Sequence, residues 1–218
     1  MDRRSRQHLA SHYDGHLRRR YVRVKLATDP VYAATAATLA GSTLPVLDIG
    51  CGIGLLGQYL HMQGHAAAYL GLDRDPRKIL AGQRAARRIG RSAAIELRCA
   101  DAHDLPSMQA DVTLLDMLHY LSATDQLSLL QLATSYLAPR GKLVIRNVLR
   151  EPNWRFHATR IEEFFLQASG WIRGGPQHYP TGGELRAPLE RAGLEVSIKP
   201  LRGRTPFNSY LIVAQRTG

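Results

Sequence analysis

The chain has 218 residues, enough for one α/β domain that buries roughly 70% of its unfolded surface without disulfide or metal staples. Its 44% hydrophobic and 22% charged residues exclude a disordered or fibrous chain, and no apolar run approaches the roughly 18 residues that a membrane helix needs. The net charge of +11 favours acidic partners, meaning nucleic acid, an anionic surface or an acidic protein.

Residues 7–26 read as a helix that carries Arg18, Arg19, Arg20, Arg23 and Lys25, and residues 31–40 as a second, alanine-rich helix after Pro30. Tyr13, Tyr21 and Tyr32 either line a lid or pack on the core; the second reading is favoured for at least two of them. The basic stretch 1–6 has no apolar run behind it, so no secretory signal is expected. The only cysteines, Cys51 and Cys99, belong to no C-x-x-C or Cys/His zinc pattern. They fit a reducing compartment, and a cytoplasmic location is expected.

The organising stretch is Val46-Leu47-Asp48-Ile49-Gly50-Cys51-Gly52-Ile53-Gly54. A short apolar strand, 45–49, ends at an acid and breaks into alternating glycines, and a helix over 54–63 follows. Such a turn lets a ligand approach the backbone and offers it unpaired N–H groups at a helix start. Gly52, Gly54 and Gly57 also satisfy the G-x-G-x-x-G spacing of dinucleotide binders. Asp48 argues against that ligand, because a carboxylate beside the turn would repel a pyrophosphate and suit a cationic, phosphate-free one. Cys51 reads as a small filler of the turn rather than a nucleophile.

The string Asp48-x-Gly50-x-Gly52-x-Gly54 resembles the first motif of the class I S-adenosylmethionine-dependent methyltransferases, D-x-G-x-G-x-G after an apolar strand. A second strand over 67–72 leads to Asp73, 19 residues beyond Gly54 and near the offset at which a strand-end acid bonds ribose hydroxyls. The resemblance gives Asp73 that role. Pro76 suits the first turn of a helix running to Ile89. A third strand, 94–99, runs into Asp101, which matches the family's acid for the adenine amino group. Asp104 is the alternative if the register differs, and His103 is expected to be exposed. With their neighbours Cys51, Arg74 and Ala102, and with Asp116, these residues form the expected donor-binding set. The cofactor implied is S-adenosylmethionine, with S-adenosylhomocysteine as product.

The fourth strand, 111–116, runs on into Met117-Leu118-His119-Tyr120. In the resembled fold this end faces the transferred methyl, so Asp116, His119 and Tyr120 are acid/base candidates. A neutral imidazole can take a proton near pH 7. For His119 the alternative is a satisfied histidine on an apolar edge. A helix over 124–137, a turn at Ala138-Pro139-Arg140-Gly141, a fifth strand over 142–148, a helix over 184–192 and strands over 195–201 and 208–214 complete the pattern. The implied fold is α/β, a Rossmann-like sheet of order 3-2-1-4-5-7-6 with strand seven antiparallel. The expected organisation is a single domain: an N-terminal helical lid (1–43), a donor-binding core (44–149), a cap insertion after strand five (150–181) and a C-terminal helix and hairpin (182–218).

The insertion is rich in aromatics, including Trp154, Phe156, Phe164, Phe165 and Trp171. It either covers a flat acceptor or buries itself on the core. Arg146, Arg150, Arg155, His157, His178 and Tyr179 are possible acceptor contacts, and His157 and His178 join His119 as catalytic candidates. No N/D-P-P-Y/F/W follows strand four, which disfavours methylation of exocyclic base amines. No paired carboxylates mark a magnesium site, so no metal is expected. Together with the stretch 14–21, the insertion faintly resembles methyltransferases of bacterial aryl-polyene and polyketide pathways. The expectation is O- or C-methylation of a small aromatic or acyl acceptor, free or on an acidic carrier protein in a secondary-metabolite pathway. RNA is the alternative partner.

Overall fold

A computed structural model describes residues 1–90, 93–105, 107–156, 175–203 and 208–216. Seven strands form one sheet in the order β3-β2-β1-β4-β5-β7-β6. They are β1 (Val46–Ile49), β2 (Tyr69–Asp73), β3 (Ile95–Cys99), β4 (Asp111–Leu115), β5 (Lys142–Val148), β6 (Leu194–Pro200) and β7 (Ser209–Arg216). β1 to β5 run parallel, and β7 is antiparallel to both β5 and β6. Order and direction agree with the sequence expectation.

Before β1 come α1 (Arg3–Ser11), α2 (His16–Thr28) and α3 (Val31–Thr38); α4 (Leu55–Met62) and α5 (Pro76–Arg88) follow β1 and β2. α6 (Ala123–Ser135) precedes β5 and α7 (Gly182–Arg191) precedes β6. Helices cover both faces of the sheet, as a parallel sheet requires. Leu47, Val112, Leu114 and Ile145 pack with Leu129, Ala133, Leu185 and Leu189 of α6 and α7. Val46, Tyr69, Leu97 and Val144 pack with Leu9, Tyr13, Val22, Leu55 and Ile79 on the other side. Alternate strand residues feed opposite layers because side chains along a strand point to opposite faces.

The single N-terminal helix expected over 7–26 is two helices. The chain breaks at Asp14-Gly15, where Gly15 takes φ +78°, a left-handed conformation that a side chain resists. The corner is held on α5: Arg88 donates to the His12 carbonyl at 2.8 Å, and Arg84 and Arg88 pair with Asp14 at 3.6 and 2.5 Å. Tyr13 and Tyr32 are buried, whereas Tyr21 is half-buried. No helix among the described residues is long and apolar enough to cross a membrane.

Candidate functional site

The C-terminal ends of β1, β2 and β4 meet at the glycine turn. Gly50 and Cys51 donate backbone N–H bonds to the Leu72 carbonyl at 2.8 Å each, tying the turn to the end of β2. Gly54 starts α4 at φ +67°, a conformation that a side chain resists, and a Cβ there would meet Leu97 Cδ1 at 2.7 Å, so the leucine would have to shift. Nothing lies within 4 Å of where a Cβ on Gly52 would stand. The space above the turn is open, and α4 has no side-chain cap on its first N–H groups. This is the form of a cradle for a ligand's backbone-facing part.

Asp73 closes one side of the cradle. Its Oδ2 accepts from Gly52 N–H at 2.9 Å and its Oδ1 from Asp75 N–H at 2.8 Å. The carboxylate is thereby aimed along the turn before any ligand arrives. Asp101 caps the short 3-10 turn Ala102–Asp104. Its Oδ1 accepts from His103 N–H at 3.0 Å and meets His103 Nδ1 at 2.8 Å, while Oδ2 pairs with the exposed Arg74 guanidinium. Partial burial works against the Asp101 charge, yet the His103 bonds and Arg74 hold the carboxyl well below the usual range. Ala102 is buried, and its carbonyl accepts from Tyr136 Oη at 2.9 Å.

Asp48 departs from the expectation. The sequence reading put its charge beside the ligand, but the side chain is only 2% exposed and points into the sheet. Oδ1 accepts from Thr113 Oγ1 at 2.7 Å, and Oδ2 accepts from the Tyr69 hydroxyl. Burial raises its pKa to about 6, against the pull of the Thr113 and Tyr69 bonds. Asp48 therefore braces three strands beneath the turn. Cys51 is buried beside Gly71, and burial pushes its thiol up, which leaves it a filler rather than a nucleophile.

The carboxylate at the mouth is Asp116, just past β4, in a left-handed conformation at φ 60°. Its N–H donates to the Arg146 carbonyl at 2.9 Å. Its Oδ2 accepts from Lys25 Nζ of α2 at 3.1 Å, and its Oδ1 pairs with the Arg146 guanidinium. Lys25 also contacts Asp29 Oδ2 at 2.8 Å, and Arg146 donates to Ser209 Oγ at 2.8 Å. Burial opposes the Asp29 charge, but Arg146 and Lys25 hold its pKa below the usual value. Arg146, expected among the acceptor contacts, is instead buried in this network. Sequence reasoning missed Lys25 and Asp29 as site residues, because the contact from Lys25 to Asp116 spans 91 positions.

Next to Asp116 lies an aromatic cluster. His119 is buried on the 3-10 turn Leu118–Tyr120, and its Nδ1 meets Asn147 Oδ1 at 2.8 Å. Asn147 Nδ2 donates to the Val148 carbonyl at 3.0 Å, so the amide oxygen faces the ring. The proton of a neutral His119 then sits on Nδ1, which makes Nε2 the basic nitrogen. The His119 ring stacks on Tyr179 with centroids 6.0 Å apart, and Phe156 meets Tyr179 edge-on at 5.1 Å. Both described ends of the insertion thus converge on His119.

His178 donates its N–H to the His119 carbonyl at 3.4 Å, but its ring turns away to Glu184 Oε1 at 3.3 Å, beside the start of α7. Arg150 also turns to Glu184, at 3.7 Å. The structure therefore joins His119 and His178 through the backbone, with the His178 ring on Glu184 and the His119 ring on Asn147. Trp154 is exposed under the Arg155 guanidinium. His157, Phe164, Phe165 and Trp171 lie outside the described residues.

Residues 46–141 match the family model of a methyltransferase domain. No curated protein sequence matches the chain. Among solved structures, an O-methyltransferase family protein from Burkholderia thailandensis superposes with a TM-score of 0.71 at 19% identity, covering 93% of this chain and 61% of that one. The magnesium protoporphyrin IX methyltransferase of Synechocystis PCC 6803, solved with bound S-adenosylhomocysteine, gives 0.68 at 19% identity over 94% of this chain and 89% of its own. A mitomycin 7-O-methyltransferase gives 0.70 at 20% identity, covering 91% of this chain and 56% of its own. At such identities the likeness is one of fold, and the chain spans only about three fifths of the Burkholderia protein.

Proposed function

We propose, from the match of residues 46–141 to the model of a methyltransferase domain and from the strand order of the sheet, that the chain transfers a methyl group from S-adenosylmethionine to a small aromatic or acyl acceptor. The observation that carries this reading is the open cradle over Gly52, with the Asp73 carboxylate already held at 2.9 Å from the Gly52 N–H. A carboxylate at that place can accept both hydroxyls of a ribose, and a glycine turn lets an uncharged nucleoside lie close to the backbone. Asp101 would accept from an adenine amino group once Arg74 yields one oxygen. When bound, S-adenosylmethionine supplies a methyl on a cationic sulfur that an acceptor displaces in line.

The protein's work is then alignment, exclusion of water and removal of one proton. In this reading His119 Nε2 takes the proton from the acceptor oxygen or carbon, and Asn147 fixes the tautomer that leaves Nε2 basic. His178, with its ring on Glu184, holds the segment beside His119 rather than sharing the chemistry. The rings of Tyr120, Phe156 and Tyr179 around His119 favour a flat acceptor. Small-molecule O-methyltransferases among the structural neighbours support the same class, including the mitomycin enzyme. An acidic carrier would suit the net charge of +11, and RNA is the second reading on the same ground. Two free thiols fit a cytoplasmic setting.

Calorimetry tests the reading. The wild-type protein should bind S-adenosylhomocysteine, and Asp73→Ala should weaken that binding at least about tenfold, the equivalent of about 1.4 kcal/mol. Tight binding of NADH with no binding of S-adenosylhomocysteine would reject the enzyme class. A steep salt-dependent RNA shift would favour the second reading.

A further inference from the structure

Asp48 is walled into the sheet, so the amino-acid end of the proposed donor needs other charges to meet it. That end is a zwitterion with one ammonium and one carboxylate. The only described ion pair that joins α2 to the mouth of the turn is Lys25 with Asp116. Asp116 directly precedes Met117, whose Cβ lies 3.2 Å from where a Cβ on Gly50 would stand, so the chain at Asp116 runs beside the glycine turn. Both side chains are about a quarter exposed, Lys25 at 24% and Asp116 at 27%, whereas Asp29 and Arg146 behind them are each at 9%. The pair is therefore the open face of a four-charge cluster whose back is sealed.

We propose that Lys25 and Asp116 part to clasp the donor's zwitterion, the ammonium on Asp116 and the carboxylate on Lys25. The proposal rests on the donor reading above. The charges balance at every stage. Lys25 keeps Asp29 at 2.8 Å, and Asp116 keeps Arg146, so neither is left alone when their mutual contact at 3.1 Å opens. Inserting a zwitterion adds no net charge to a partly buried site, where an unpaired charge would be costly. Because Lys25 belongs to α2, the clasp also ties the N-terminal helices to a loaded turn.

Two ligands separate this inference from the donor reading. S-adenosylhomocysteine carries both charged groups, and 5′-methylthioadenosine carries neither. Lys25→Met and Asp116→Asn should each weaken S-adenosylhomocysteine at least tenfold and leave 5′-methylthioadenosine within twofold of wild type. Variants that bind S-adenosylhomocysteine as wild type does, or that lose both ligands equally, overturn the clasp while the donor reading stands. A wild-type protein that binds neither ligand sinks the donor reading instead. Should a variant fail to fold, the wild-type protein still decides: decarboxylated S-adenosylhomocysteine must bind at least tenfold more weakly than the parent, and a difference under twofold overturns the proposal.

Discussion

Asp48 shows how one residue can serve a site it does not touch. Its carboxylate is buried, bonded to Thr113 and Tyr69, and raised to about 6. An unfolded aspartate titrates near 3.9. Between those values the unfolded chain has already lost the proton that the folded chain still holds, so stability falls as pH rises from about 4 to about 6. The loss attributable to this one group is about 3 kcal/mol. Asparagine keeps an acceptor and a donor for the two hydroxyl groups and cannot ionise. Urea melts of Asp48→Asn and wild type, compared across pH 4 to 7, should therefore diverge by that amount, with the variant gaining at the upper end. Parallel curves would show that Asp48 does not titrate in this range.

Among the elements, α7 has the clearest local cause. Thr181 accepts from Glu184 N–H at 3.2 Å through its Oγ1, and Glu184 Oε2 accepts from Thr181 N–H at 2.6 Å, a reciprocal capping box. Thr181→Ala should cost about 1 kcal/mol in chemical denaturation. It should also loosen Glu184, which holds His178 and Arg150, so a crystal or NMR comparison should find the His178 ring displaced while the His119 ring keeps Asn147. α2 presents the opposite case. Its N-cap is Gly15, with no side-chain bond. Its place depends on tertiary contacts: Val22 in the core, Lys25 on Asp116, and the neighbouring corner at Asp14 on α5.

The whole molecule carries +11 charges, and many of the arginines are exposed, Arg19, Arg20 and Arg23 on α2 among them. Self-repulsion of this size destabilises a compact state, while the exposed ion pairs that salt also screens contribute little. The melting temperature should rise as sodium chloride increases from about 10 mM to 150 mM, over which the screening length falls from about 30 to 8 Å. A fall would mean that ion pairs such as those of Asp14 and Asp116 outweigh the net repulsion.

What the sequence determined by itself is the set of features with short-range causes. The alternating glycines, the strand-end acids Asp73 and Asp101, the turn before β5 and the strand periodicity each depend on neighbours within a few residues, and with the family resemblance they were enough for the sheet order. What only the tertiary structure decided is which side of the sheet a side chain faces and whom it meets. Asp48 is turned inward because Tyr69 and Thr113 come from the strands flanking β1. Asp116 meets Lys25 and Arg146 because α2 and β5, distant along the chain, come together at the C-terminal end of β4, and His178 turns to Glu184 because α7 begins there. Hydrogen bonds and ion pairs act over about 3 to 4 Å in space whatever the separation along the chain, so a linear pattern can nominate such residues without assigning their partners.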